Sequence, residues 1–105
     1  MGRPLNCPYA RMGAATVTLA TSDLPARQRL RRAALELLQV QRLVVDGPNA
    51  ARVRELVKRL TAAKHKDVVD AIFESIQNME DEEVALVVRE FFLLEAALAV
   101  DRRRG

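Results

Sequence analysis

The chain has 105 residues, half of them hydrophobic and 30% charged, with a formal net charge of +3 and a mean hydropathy of −0.07. That length excludes a multidomain architecture, and that balance excludes a disordered polar chain. A single cysteine, Cys7, excludes an intrachain disulfide and a thiolate metal site, and suits a reducing compartment.

Residues 1–22 (MGRPLNCPYARMGAATVTLATS) carry no evident helical period and are expected to form a flexible basic leader. Arg3, Arg11, the threonines and the lack of any acid before Asp23 match the bias of an organellar transit peptide, without its amphipathic arginine face. A cleaved leader would imply organellar import, and a plain one a cytoplasmic protein. Met12 offers an alternative start. The stretch from Ala14 to Ala20 is too weakly apolar for a secretory segment, and nothing in the chain has the length of a membrane span.

The first predicted helix begins at Ser22-Asp23-Leu24-Pro25, a polar cap followed by a proline whose missing N–H costs nothing in a first turn, and runs to about Val45. Leu30, Ala34, Leu37, Leu38 and Val44 form its apolar stripe, widened by Ala33, Val40 and Leu43. Arg27, Arg29, Arg31 and Arg32 crowd its first turns, the wrong end for the helix dipole, at ~0.3–1 kcal/mol for each unfavourable terminal charge. Such a placement implies an acidic contact elsewhere. Asp46-Gly47-Pro48-Asn49 ends this helix through a left-handed glycine and starts the next through an asparagine cap.

The second helix spans about Ala50 to Ala63 with Val53, Leu56, Val57 and Leu60 inward, and Glu55 stands four residues before Arg59. The third spans about Lys66 to Gln77 with Val69, Ile72, Phe73 and Ile76 inward. Asn78 to Asp81 is a short turn that caps the last helix, roughly Glu82 to Asp101, whose Glu82 and Glu83 complement the dipole. Residues 102–105 are expected to fray.

The last helix is apolar on every side. At about 100° per residue, Val84, Val87, Phe91, Leu94 and Leu98 make one stripe, while Leu86, Leu93 and Val100 recur at heptad spacing almost opposite. The first stripe suits the core and the second a partner, so Leu86, Leu93 and Val100 are the candidate interface residues. Glu95 lies on the core stripe. It must either pair with an arginine of the basic half or rotate to the rim, because an unpaired buried charge is costly.

The net charge conceals a division. Residues 1–66 hold thirteen Lys/Arg against four acids, and residues 67–105 hold four against ten. The halves should therefore neutralise each other, which weakens any argument from the basic tract RQRLRR to nucleic acid. Arg27, Arg29, Arg31 and Arg32 are kept as possible contacts for an anionic partner. Aromatic residues are only 4% of the chain, leaving few for base stacking. Glu80 to Glu83 lack the alternating oxygen ligands of a cation loop, and His65 between two lysines fits a solvated turn. No cofactor, metal or catalytic residue is indicated.

Met79-Glu80-Asp81-Glu82-Glu83, the run VALVVREFFLLEAALAV at 84–100 and Arg102-Arg103-Arg104 follow a Leu-rich helix and two shorter ones. From about Leu30 onward this order resembles the helical N-terminal segment of phosphoenolpyruvate carboxylases. The likeness rests mainly on residues 79–104. That family carries an Asn-Leu-Ala-Glu stretch where Ala-Ala-Leu-Ala-Val-Asp stands here at 96–101, and its catalytic His-Pro-Thr-Glu motif has no counterpart. The resemblance implies a non-catalytic helical segment and carries no site residue over.

The expectation is an all-α, antiparallel four-helix bundle-like domain over 23–101 with a flexible tail. It is not an enzyme but an adaptor or assembly module, partnered by another protein or by itself as a homodimer through its last helix. Nucleic acid is the second partner class, and a membrane is not expected.

Overall fold

The computed structural model describes residues 7–21 and 23–104, which form five helices: α1 (Pro8–Thr21), α2 (Ala26–Leu43), α3 (Gly47–Leu60), α4 (Val68–Asn78) and α5 (Asp81–Arg104). The described residues contain no strand, so the class is all-α. The number of helices is five rather than four. The expectation of a structureless leader over 1–22 is corrected for Pro8–Thr21, while residues 1–6 and Ser22 lie outside the described residues.

The reason lies in the Thr16 hydroxyl, the one threonine of α1 on its buried face. Met12, Ala15, Thr16 and Leu19 are the buried residues of α1, which is helical spacing with a threonine in one of the four places. Thr16 Oγ1 donates to the Gly13 carbonyl at 3.1 Å, Thr18 Oγ1 to Ala14 at 3.0 Å and Thr21 Oγ1 to Val17 at 2.7 Å. A threonine bonded back into its own helix can be buried without an unsatisfied hydroxyl. The pattern is thus amphipathic in space although it looks mixed on paper.

α2 is the hub. It packs against all four other helices, most extensively α1, while α1 and α3 also flank α5 and α3 touches α4. Leu30, Ala33, Ala34, Leu37 and Val40 of α2 are buried, and the small residues Ala15, Ala33 and Ala34 let helices approach closely. Leu38 and Val44 pack on the core only partly, and Leu43 is exposed. The Cα radius of gyration is 13.3 Å, close to the ~13 Å expected of a compact domain this long.

The connections correct several details. α2 is preceded by Pro25 as cap residue with no side-chain cap bond, so the proline stands just outside the first turn. Gly47 does adopt a positive φ of +84°, but as the first residue of α3, with Asp46 before it as cap. Asn49 is therefore not a cap. It is buried inside α3, where its amide donates to the Asp101 carboxylate and ties the start of α3 to the end of α5. α4 begins at Val68, two residues later than expected, because the Asp67 carboxylate accepts from the N–H groups of Val69 at 2.7 Å and Asp70 at 3.4 Å. Asp67→Ala is expected to destabilise the protein by ~1 kcal/mol. Urea denaturation followed at 222 nm would show this as a lower midpoint with an unchanged slope.

In α5 the core stripe is as anticipated: Val84, Val87, Phe91, Leu94 and Leu98 are all buried. The helix continues through Arg104, so the backbone of residues 102–104 is helical rather than frayed, and Gly105 lies outside the described residues. Glu95 sits half-buried at the contact with α1, where a Cβ on Gly13 would lie 3.4 Å from its Oε2. Phe73, expected inward, stands at the edge of α4 with the Arg31 guanidinium 4.8 Å above its ring. A cation over an aromatic face holds the ring without burying it.

Candidate interaction surface

The outer face of α5 follows from the depth to which its inner face is buried. A helix whose stripe of five side chains fills the core must turn the opposite stripe outward. Leu86, Leu93 and Val100 are accordingly 53%, 45% and 48% exposed. In projection they drift by only ~20° per heptad, so they form a nearly straight apolar line along the helix. Glu82, Ala85, Arg89, Glu90 and Ala96 share this exposed side. Phe92, 40% exposed on its edge, is a member that heptad counting does not find. The signal for it was its adjacency to the buried Phe91: of two successive large residues on a helix, only one can point to the core.

α5 is ~36 Å long at 1.5 Å per residue, and the domain's longest axis is 39 Å. From Leu86 to Val100 the line itself runs ~21 Å along the helix axis at 1.5 Å per residue. Large apolar side chains gathered on one exposed face, rather than scattered singly, are the kind of surface that mediates association.

The arginines at the start of α2 are placed quite differently. Arg27 Nη1 donates to the Ile76 carbonyl at 2.7 Å and its Nη2 to Asp81 Oδ1 at 2.7 Å. Arg29 Nη1 donates to the Leu19 carbonyl at 2.9 Å, and Arg31 Nη2 to Gln77 Oε1 at 3.4 Å. Leu19 and Ile76 lie in the last turns of α1 and α4, where carbonyls lack the regular helical bond; the Ile76 carbonyl also accepts from the Met79 N–H at 3.2 Å. Arg27 and Arg29 thus act as caps on the C-termini of helices other than their own, where a cation also complements the dipole. Each such charged bond to a carbonyl is worth ~1.5–3 kcal/mol. The Arg27–Asp81 ion pair, with its carboxylate 99% exposed, adds little by comparison. Arg32 is exposed.

The division of charge closes on itself in the same way. Arg27–Asp81 and Arg59–Glu83 at 3.9 Å each join the basic half to the acidic half, and His65 Nε2 lies 3.0 Å from Glu74 Oε1. Arg59 therefore reaches across to α5, where the sequence placed it opposite Glu55 on its own helix. Arg11 pairs with Glu36 at 3.4 Å, linking α1 to α2.

A groove of about 540 Å³ opens where the end of α1 meets the starts of α2 and α5, lined by Leu19, Val84 and Val88 and edged by Arg27 and Arg29. Both arginines already donate to carbonyls, so the groove offers mainly apolar contact. Among the described residues no three His, Cys, Asp or Glu side chains are grouped to hold a metal ion, and no helix is long and apolar enough to cross a membrane. Comparison with protein families, with characterised proteins and with solved structures yields no match to this chain.

Proposed function

We propose that the protein is a non-enzymatic helical interaction or assembly module, built as a bundle of antiparallel neighbours and associating through the outer face of α5. The observation that carries this reading is the exposure of Leu86, Leu93 and Val100 in one line on a helix whose other face is fully committed to the core. Covering apolar area is favourable at roughly 25 cal/mol per Å², so three large apolar side chains aligned on one exposed face are costly to leave in water. A partner supplies the cover.

A carboxylase-like segment would use the same face against a larger body, so that alternative changes the occupant and not the surface. Nucleic-acid binding is the weaker reading, because Arg27, Arg29 and Arg31 are engaged with Ile76, Leu19 and Gln77. Arg27 and Arg29 would have to abandon helix-end carbonyls to reach phosphate.

The test is a photo-cross-linking residue placed at position 86, with exposed Arg54 on α3 as the control site. A specific adduct is expected at 86 and none at 54. Leu93→Glu should abolish that adduct while leaving the helical signal intact and the monomer's stability within about 0.5 kcal/mol, as for surface substitutions generally. Absence of any adduct at 86 would remove the reading.

A further inference from the structure

Resting on that reading of the α5 face, we infer that its occupant is a second copy of this chain, paired antiparallel through α5 with Leu93 on the twofold axis. The first support is the register of the sequence itself. Leu86 and Val100 each lie seven residues from Leu93, so an antiparallel twofold at Leu93 sets Leu86 of one copy against Val100 of the other. The same operation sets Arg89 opposite Ala97 and Glu90 opposite Ala96. Arg89 and Glu90 then each face an alanine, which leaves them room to run outward over the small residue to water. A twofold contact must be self-complementary in this sense, with one patch matching itself in reverse.

The second support is charge. In the first turn of α5, Asp81 and Glu83 pair with Arg27 and Arg59 of the same chain, while Glu82 stands exposed on the outer face; the sequence at the other end of the helix is Arg102-Arg103-Arg104. Glu82 and Arg104 each stand eleven residues from Leu93, so antiparallel pairing brings the acidic end of each helix to the basic end of the other. Parallel pairing would instead set Glu82 of one copy level with Glu82 of the other. Complementary potentials favour one orientation and like charges reject the other. The helix dipoles act in the same direction.

Single cysteines in a Cys7→Ser background of the full chain test this directly. Under mild oxidation, Leu93→Cys is expected to form a disulfide-linked dimer. Leu86→Cys and Val100→Cys should each remain monomeric alone, and a mixture of the two should give the mixed disulfide. If Leu86→Cys and Val100→Cys each cross-link with themselves, the pairing is parallel and the inference is overturned. It is equally overturned if Leu93→Cys yields no dimer. In that event the photo-adduct at position 86 separates the cases: an adduct of mass other than two chains leaves the assembly reading standing with a different partner, and no adduct removes both.

Discussion

Phe91→Ala is expected to destabilise the protein by about 3–5 kcal/mol, and Phe91→Glu to leave it largely unfolded at room temperature. Phe91 is fully buried and is the largest side chain of the core, on the one helix that meets α1, α2 and α3 together. Removing the ring forfeits its transfer free energy and leaves a cavity whose walls belong to several helices, so no single element can move in to fill it. Domains of this size are stable by ~5–15 kcal/mol in total, so the alanine variant keeps a fraction of its margin. The glutamate variant adds desolvation of a carboxylate to the same loss. Chemical denaturation followed by circular dichroism measures both. A loss below about 1 kcal/mol for Phe91→Ala would show that the site collapses freely and is not a shared core. The neighbouring Leu93→Glu makes the comparison sharp, because two residues along the same helix the same substitution falls on solvent-facing surface.

Deleting residues 1–21 is expected to abolish cooperative unfolding, and Met12→Ala to cost about 2–5 kcal/mol. Met12 and Ala15 are fully buried and Leu19 nearly so, and α1 covers α2 and α5 together. Its removal also strips the Leu19 carbonyl from Arg29 and exposes the apolar surface beneath. A thermal scan of the truncated chain is the measurement. A sharp transition near that of the full chain would show α1 to be dispensable and restore the leader interpretation. The same argument bears on a cleaved transit sequence over 1–22, since cleavage would remove three members of the core.

Much of this architecture is legible before any coordinates. The four later helices follow from period and punctuation: the stripe of Val53, Leu56 and Leu60, the positive-φ turn at Gly47, and the acidic first turn of α5 are all local features. The two-faced character of α5 is equally local, because a heptad line opposite a core stripe is a property of one helix. Other features belong to the tertiary structure alone. α1 escaped detection because its pattern runs through Thr16, whose polarity is cancelled only when its hydroxyl bonds to Gly13 in the formed helix. Asn49 looked like a cap from its neighbours, yet its amide is held by Asp101, 52 residues away. The arginines opening α2 look misplaced, or destined for phosphate, until α1 and α4 bring the Leu19 and Ile76 carbonyls beside them. Periodicity and capping are interactions within a few residues, so the chain by itself specifies them. The partner of a long charged side chain is set by which helix ends the fold gathers around it, and that is decided only when the helices pack.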